Sequence, residues 1–292
     1  MRLLLTSFVL KLWITVSISV FVSLNLLLKT AVAQDITIIK NEQTDNSLVV
    51  MKNLSITVLY DNHPFQQGLK TGWGFSCLVR GAEKTILFDT GGEGEMLLTN
   101  MKELGIKPGE IDLVVLSHAH GDHTGGLQRF ISENHEAAVF LPQSFPKEFK
   151  GGLRRSEITV IEVHASEKIC ENAYSTGELG AWIQEQALIV RTDHGMVLIT
   201  GCAHPGIVES ISTARELFPS DQILLVMGGF HLDGTSRKQL TKIVAAFKEL
   251  GVQYVGPCHC SGDLTRQLFH EAYQEHFITV GVGTKISGDD LQ

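Results

Sequence analysis

The sequence predicts a four-layer αββα sandwich, in which two mixed β-sheets are stacked together and covered by helices. Short runs rich in β-branched and aromatic residues come early in the chain, and helical patterns are interspersed later. Hydrophobic residues make up 43% and charged residues 19% of the 292 positions, a composition typical of a globular protein with a buried core. Five predicted strands end beside a polar, ligand-type residue, which indicates one shared cleft at the edge of the sheets.

The predicted strands are short apolar runs bounded by turn-forming residues such as glycine and asparagine. They span residues 55–60, 74–79, 85–90, 111–117, 137–142, 158–164, 187–192, 196–201, 223–229, 252–257 and 277–283. Helices are predicted at residues 93–104, 207–218, 236–250 and 264–272. The third of these has an apolar stripe through Leu240 and Phe247, and either Thr235 or Ser236 can cap its start.

Residues 1–33 have the features of a secretory signal peptide. They include three basic residues and no acidic one, and they end in Ala31-Val32-Ala33, a small-x-small cleavage pattern. Cleavage after Ala33 would remove those three positive charges and change the formal net charge from −8 to −11. We therefore expect an exported, periplasmic or extracellular protein. An uncleaved membrane anchor is the alternative, because the apolar run is long.

The rest of the chain is expected to hold one domain at residues 54–288, preceded by a linker or irregular segment at residues 34–53. After signal cleavage we expect no stable membrane association, because no second run of similar length exists. The net charge of −8 and the lack of a lysine or arginine cluster argue against a nucleic-acid partner. There is no G-x-G-x-x-G after the first strand, so we expect no nucleotide cofactor. The expected partner is a small-molecule substrate.

The densest group of ligand-type residues follows the strand at residues 111–117. His118, His120, Asp122 and His123 lie within six consecutive positions. Side chains that repel or compete when charged are poor packing material, but neutral imidazole and carboxylate are the usual ligands of zinc, iron or manganese. Because His118 and His120 lie two apart on extended chain, their rings project to one side. The run therefore predicts a metal site.

Other strand ends carry the same kinds of residue. Asp89 lies in the run at residues 85–90, and Cys202 and His204 follow the strand at 196–201; His231 and His259 follow two later strands. Since loops at strand ends are held by the rigid sheet beneath them, we expect these side chains to share the cleft of the histidine run.

The sequence His118-x-His120-x-Asp122-His123 resembles the signature of the metallo-β-lactamase fold superfamily. The resemblance extends to LFDTG at 87–91, TGC at 200–202 and GPCH at 256–259, and so covers about residues 55–285. Three further runs resemble a narrower branch of the superfamily: TGCAHPGI at 200–207, GGFHL at 228–232 and PCHCSG at 257–262. This branch is named after a methanogen dihydropterin-ribofuranosyl-aminobenzene-phosphate synthase. Most members of that branch are called metal-dependent hydrolases.

The resemblance implies that His118 and His120 bind a first metal ion, and that Asp122, His123 and His259 face a second. Cys202 stands where the family has an acidic or cysteine ligand, and as a thiolate it could bind or bridge the metals. A small buried thiol without a ligand role is the alternative for Cys202. Asp89 is expected to orient a ligating imidazole through its ring N–H.

The sequence departs from the family pattern at one ligand. Most members carry a third histidine for the first metal in a glycine-rich loop, but the corresponding residues 172–180 read NAYSTGELG. We predict that His204 replaces it, with its ring within about 4–5 Å of the His118 and His120 rings. This requires the chain to stay extended through Ala203, which Pro205 favours at the residue before it. An orienting or substrate-binding role is the alternative for His204. If His204 lies elsewhere, His231 or His164 becomes the first candidate.

The predicted function is that of an exported metal-dependent hydrolase. One or two divalent ions, zinc first and iron or manganese as alternatives, would activate a water molecule. Asp122 would accept the water's proton or hold the water in line, and His231 is a candidate donor to the transition state. Ester, lactone and phosphodiester substrates are all open. The alternatives are a non-hydrolytic metal-binding or redox protein on the same fold, or a pterin-related synthase.

Overall fold

A computed structural model describes residues 53–291 of the chain. The predicted signal peptide at residues 1–33 and the predicted linker, apart from Asn53, lie outside these residues. Within the described part, no helix combines the length and the apolar character needed to cross a membrane.

The described residues form short strands and helices along the whole of their length. The strands are β1 (Ser55–Tyr60), β2 (Ser76–Arg80), β3 (Ile86–Phe88), β4 (Leu113–Val115), β5 (Ala138–Pro142), β6 (Val160–Val163), β7 (Glu167–Cys170), β8 (Ala173–Ser175), β9 (Leu188–Thr192), β10 (Gly195–Thr200), β11 (Ile223–Gly229), β12 (Tyr254–Cys258) and β13 (Lys285–Ser287). The helices are α1 (Gly94–Glu103), α2 (Gly121–Thr124), α3 (Leu127–Ile131), α4 (Lys147–Arg155), α5 (Ile207–Leu217), α6 (Arg237–Glu249) and α7 (Asp263–Tyr273).

The strands build two mixed sheets. The first has the order β13-β1-β2-β3-β4-β5-β6, and the second has the order β12-β11-β10-β9-β8-β7. Pairing is parallel from β3 to β6 and from β10 to β12, and antiparallel elsewhere. The parallel strands matter most for the site, because loops at their carboxyl ends carry the candidate ligands.

Alternation along the strands separates two apolar cores. In β3, Ile86 and Phe88 belong to the core shared by the two sheets, whereas Leu87 belongs to a core that also contains Leu97 of α1 and Phe130 of α3. On the second sheet's side, Phe230 follows β11 and packs against Phe247 of α6 and Phe269 of α7, with ring centroids 5.6 and 5.8 Å apart. The predicted four-layer αββα sandwich is confirmed.

The strand predicted at residues 277–283 is wrong. Val282 makes only an isolated bridge to Pro64, and the chain turns where Thr284 N–H donates to the Gly281 carbonyl (3.0 Å). Gly283 has a φ of 91° in that turn, a conformation that ends an extended run. The closing strand is β13, which pairs antiparallel with β1.

Besides β13 and the two short helices α2 and α3, three elements were missing from the sequence prediction: β7, β8 and α4. The edge hairpin of β7 and β8 is short and carries polar residues such as Glu167 and Lys168, so it shows no apolar run. Helix α4 contains Gly151 and Gly152, which lower its helix propensity.

For the predicted helix α6, the N-cap is Ser236 rather than Thr235, because the Ser236 hydroxyl accepts a hydrogen bond from the Gln239 N–H (3.4 Å).

Candidate metal centre

The candidate ligands lie together where strands of both sheets end. From the first sheet, Asp89 follows β3 directly, and the run from His118 to His123 begins shortly after β4 and enters α2. The second sheet contributes Cys202 and His204 after β10, His231 after β11 and His259 after β12. The two sheets approach closely here because residue 201 is glycine: a Cβ at Gly201 would lie 2.1 Å from the Ser117 hydroxyl oxygen. The predicted shared cleft is therefore present.

The histidines of the first sheet are oriented by hydrogen bonds that end on the buried carboxylate of Asp89. The Ser117 hydroxyl donates to Asp89 Oδ2 (2.7 Å) and therefore accepts from Nδ1 of His118 (2.9 Å). Nδ1 of His123 donates to the same carboxylate oxygen (2.7 Å). Both rings are thus left with the lone pair of Nε2 available for a metal ion.

Two histidines of the second sheet are held in the same way. Nδ1 of His204 donates to Oε2 of Glu185 (2.9 Å), and Nδ1 of His259 donates to Oδ1 of Asn62 (3.1 Å). Nε2 is the free nitrogen of each ring. An oxygen acceptor behind a ligating imidazole fixes both the tautomer and the ring orientation at metal sites.

The free ring nitrogens lie close to one another and to the thiol of Cys202. Nε2 of His118 and Nδ1 of His120 lie 3.0 Å apart, and Nε2 of His123 lies 3.2 Å from Sγ of Cys202. Atoms that each lie about 2.0–2.3 Å from one metal ion are crowded to such distances.

The clearest sign of a missing partner is at His259. Its Nε2 is buried and has no hydrogen-bond partner, although Asp122 Oδ2 lies 3.3 Å away. A buried polar atom without a partner is costly, and a cation between His259 and Asp122 would satisfy both groups. The donor set therefore fits a metal ion.

Two groups of donor atoms correspond to the two predicted metal positions, and within each group all donor atoms lie within 4.8 Å of one another. His120, predicted as a ligand of the first metal, belongs to neither group, although its Nδ1 lies 3.0 Å from Nε2 of His118. The first group is His118, Cys202 and His204, and the second is Asp122, His123, Cys202 and His259. Because the thiol of Cys202 belongs to both, it occupies the place of a bridging ligand. Metal binding by these residues stays a prediction.

The predicted proximity of His204 to the histidine run is confirmed. Its ring centroid lies 4.6 Å from that of His118 and 4.9 Å from that of His120. Residues 172–180, where most of the family carries a histidine, form β8 and the turn after it. His164, the fallback candidate, is exposed and makes a 3.0 Å contact with Glu178.

The backbone route to His204 differs from the prediction of an extended chain. Ala203 has a left-handed φ of 56°, so the chain turns there. The carboxylate of Glu185 holds the turn: Oε1 accepts the N–H groups of Cys202 and Ala203 (both 2.8 Å), and Oε2 accepts that of His204 (3.0 Å). One carboxylate therefore fixes three consecutive peptide groups and one imidazole.

Left-handed backbone is concentrated around the centre. Asp89, Ala203, His231 and His259 have φ values of 55°, 56°, 50° and 47°, a region that residues other than glycine rarely adopt. Each such residue costs about 1–3 kcal/mol, and such strain collects at functional sites.

The electrostatics of the centre keep His118 and Asp122 in metal-binding form. Burial lowers the pKa of His118 to about 2, so its imidazole is neutral at physiological pH. Partial burial would raise the pKa of Asp122, but the neighbouring rings of His259 and His123 hold it below its ordinary value. Asp122 is therefore ionised at neutral pH.

In the metal-free protein, by contrast, hydrogen bonding with Cys260 and burial raise the pKa of the Cys202 thiol, and the Asp89 carboxylate outweighs burial and raises the pKa of His123.

A third group of donor atoms joins Cys202 to His231 and Cys260. The two sulfur atoms lie 3.3 Å apart, and both thiols are buried. Hydrogen bonding with Cys202 lowers the pKa of Cys260, and hydrogen bonding with Cys260 raises the pKa of His231. His231 itself is exposed, and its ring lies 4.4 Å from that of His204.

Sequence reasoning missed the residues behind the ligands. Glu185 was not singled out, because it follows a loop without a motif and only the fold brings it under residues 202–204. Asp61 and Asn62 were also missed: Asp61 Oδ2 accepts the His259 N–H (3.1 Å) from a position 198 residues away in sequence. Asp61 directly follows the apolar strand β1, and this strand-end position was the one available signal.

Comparisons with known proteins agree with this geometry. The family described as the metallo-beta-lactamase superfamily matches residues 74–211. A 7,8-dihydropterin-6-methyl-4-(beta-D-ribofuranosyl)-aminobenzene-5'-phosphate synthase of Methanocaldococcus jannaschii is 30% identical over 260 residues, covering 72% of this chain and 88% of the relative.

Solved structures share the fold. A metal-dependent hydrolase of the beta-lactamase superfamily superposes with a TM-score of 0.68 at 30% identity, covering 80% of this chain and 98% of its own. A metallo-beta-lactamase fold protein from Bacillus subtilis superposes with a TM-score of 0.61 at 14% identity, covering 81% and 99%. The second likeness shows the fold alone.

Proposed function

The chain belongs to the metallo-beta-lactamase superfamily, and from this premise we propose that it is a metal-dependent hydrolase. The observation that carries the proposal is the donor set of the centre. Four imidazoles are each fixed from behind by an oxygen, and their free nitrogens converge with Cys202 and Asp122. Such an arrangement is built for a metal ion with positions left open to water and substrate.

A divalent ion held by these residues would supply a Lewis acid, which could activate water and polarise the carbonyl or phosphoryl oxygen of a substrate. Asp122 is only partly buried and is ionised, so its carboxylate accepts a hydrogen bond from the attacking water and holds it in line. Its low pKa makes it a better orienting group than a final proton acceptor. The exposed His231, with its raised pKa, is placed to donate a proton to the leaving group.

Zinc is the ion we propose, with iron and manganese as alternatives. A thiol among imidazoles and a carboxylate suits zinc or iron and disfavours magnesium and calcium, which prefer oxygen ligands alone. Elemental analysis of protein purified without added metal is the test. One or two equivalents of zinc are expected, and a protein that takes up none of the three metals would contradict the proposal.

Hydrolysis is tested with a panel of chromogenic esters, lactones and phosphodiesters. We expect turnover that is lost on chelation and returns with the metal. The His118→Ala variant should be inactive, whereas His135→Ala, a change to an exposed histidine away from the cluster, should behave as wild type. A fully metal-loaded protein that turns over none of the panel would instead favour a non-hydrolytic metal-binding or redox role.

A synthase activity is the second candidate, because the relative at 30% identity carries that name. Formation of the aminobenzene phosphate compound in the relative's name, followed by mass spectrometry, would support this reading. We place it second, because an exported protein would be separated from folate-like precursors of the cytosol.

We also propose that the protein is exported and trimmed after Ala33. The basis is the acid-free, apolar start of the chain and its small-x-small site. Mass spectrometry of the native protein should find Gln34 as the first residue. An intact Met1 or Arg2 on a membrane-bound form would favour the anchor instead.

A further inference from the structure

A cavity of about 530 Å³ adjoins the open side of the metal centre. It is lined by His204 and His231 and by the loop residues Ala181, Trp182 and Ile183, which supply its apolar wall. This volume lies within the range of small-molecule sites. Because two residues of the metal cluster line it, a molecule in the cavity would lie directly beside the reacting centre.

We propose that this cavity binds an uncharged apolar or aromatic group of the substrate, so that the substrate is a carboxylic ester or lactone rather than a phosphodiester. The inference rests on the proposed hydrolase function and narrows its substrate class. In the reaction, water adds to the carbonyl carbon, the acyl C–O bond breaks, and the leaving oxygen takes up a proton. The products are a carboxylic acid and an alcohol, or a hydroxy acid from a lactone.

The apolar wall is the first support for the proposal. Trp182 is 99% exposed, and Phe65, Trp73 and Leu264 are the other large apolar side chains with substantial exposure among the described residues. A fully exposed tryptophan beside a cavity leaves apolar surface in contact with water. A bound apolar group would cover that surface, which is favourable. Ile183 and the ring of Pro205 extend the same surface.

The wall is held in register with the metal centre. Leu179 and Glu185 exchange backbone hydrogen bonds (3.0 and 3.1 Å), which close the turn that carries Trp182 at its tip. The side chain of the same Glu185 fixes His204 and the backbone of residues 202–204. One residue therefore sets the distance between the apolar wall and the histidines that line the cavity.

The charges of the cavity are the second support. Of the residues described, no lysine or arginine lines it, and the exposed carboxylate of Glu209 stands at its rim. Phosphate groups are recognised by arginine or lysine clamps or by helix N-termini. Helix α5 begins beside the cavity, but the Glu209 carboxylate in its first turn offsets the positive field of that N-terminus and repels a phosphate group. An uncharged carbonyl compound meets no such penalty.

The test compares 4-nitrophenyl acetate, butyrate and octanoate with bis(4-nitrophenyl) phosphate on the metal-loaded protein. We expect kcat/KM to rise roughly tenfold or more from acetate to octanoate and to be lowest for the phosphodiester. Trp182→Ala should lose most of the rise, mainly through a higher KM for octanoate. Phe65→Ala, which removes an exposed aromatic side chain outside the cavity lining, should keep the rise.

Glu209→Lys sharpens the charge argument. This variant should gain activity on bis(4-nitrophenyl) phosphate relative to butyrate, because it replaces the rim carboxylate by a cation. The inference is overturned if wild type prefers the phosphodiester, or if Trp182→Ala keeps the full dependence on chain length.

A binding measurement separates this inference from the hydrolase proposal. The neutral fluorophore 1-N-phenylnaphthylamine should bind the metal-loaded protein, bind Trp182→Ala several-fold more weakly, and resist displacement by inorganic phosphate. If the probe binds in this way but no ester is hydrolysed, the apolar cavity is supported and the hydrolase proposal fails. If phosphate displaces the probe, or if Trp182→Ala binds it as wild type does, the cavity assignment fails.

Discussion

The two sheets contribute to the metal centre in different ways. The first sheet supplies one continuous run, from His118 to His123, together with Asp89 on the neighbouring strand. The second sheet supplies its residues from three separate strand ends: Cys202 and His204 after β10, His231 after β11 and His259 after β12. The positions of the first sheet's ligands therefore depend on local chain geometry. The positions of the second sheet's ligands depend on how three loops are held by the rest of the fold.

The two buried carboxylates show the consequence. Asp89 mainly binds side chains: the Ser117 hydroxyl and the His123 ring both donate to Oδ2 (2.7 Å each), and Oδ1 accepts one backbone N–H, that of Ser117 (2.7 Å). Glu185 mainly binds backbone, taking three consecutive N–H groups and the ring of His204. Burial raises the pKa of Asp89, whereas the donors around Glu185 outweigh burial and lower its pKa. In the contiguous histidine run, the supporting carboxylate only has to orient imidazole rings. Where the ligands come from separate loops, the carboxylate also has to fix the backbone of the loop.

The largest effect is expected when the continuous run is broken. His118→Ala removes a fully buried ligand and should abolish most metal binding and nearly all activity, while the fold survives because its apolar cores lie away from the loop. Elemental analysis and far-UV circular dichroism measure the two effects. Full metal content in this variant would show that the site is assigned wrongly.

The next largest effect should come from Cys202, the donor atom common to all three groups. Cys202→Ser should weaken metal binding by more than the roughly 100-fold upper end seen for groups that only orient ligands. Cys260→Ser, 3.3 Å away, should weaken it less, because Cys260 belongs to one group only. Metal titration with a competing chelator measures both, and equal losses would argue against a bridging role for Cys202.

Glu185→Gln and Asp89→Asn compare the two supporting carboxylates directly. Each should lower metal affinity roughly 10–100-fold. Glu185→Gln should in addition lower the free energy of unfolding, because a neutral amide accepts the N–H groups of Cys202, Ala203 and His204 less strongly. Urea unfolding of the metal-free variants checks this, and equal stability of the two would contradict the distinction between shaping and orienting.

The smallest effect concerns the pH dependence of the metal-free protein. The pKa of His118 is about 2 in the folded chain, against an ordinary value of 6.5, so the unfolded state takes up the proton first as the pH falls. The stability that His118 contributes is present above pH 6.5 and is lost below it, by about 1.4 kcal/mol per pH unit.

Urea unfolding of chelator-treated protein between pH 7.5 and 5.5 tests this sign. The decline in unfolding free energy should be shallower for His118→Gln than for wild type, because glutamine does not titrate. Parallel declines would show that other groups govern the acid sensitivity.

Much of the architecture was readable from local patterns. Apolar runs of four to seven residues placed β1 and β11 at their observed bounds, since strands buried on both faces need continuous apolar character. The histidine run was readable for a similar reason: its ligands are neighbours in the chain, so spacing alone brings them together. The missing loop histidine and the position of Cys202 then pointed to His204.

The sequence by itself determined the layered fold and the residues that end its strands, because apolar periodicity and ligand-type side chains are local properties. The tertiary structure alone decided what holds them in place. Glu185 reaches residues 202–204, and Asp61 and Asn62 reach His259, only after distant loops pack together. It also decided that Ala203 turns instead of staying extended, because a buried carboxylate needs hydrogen-bond donors and the nearest backbone N–H groups supply them.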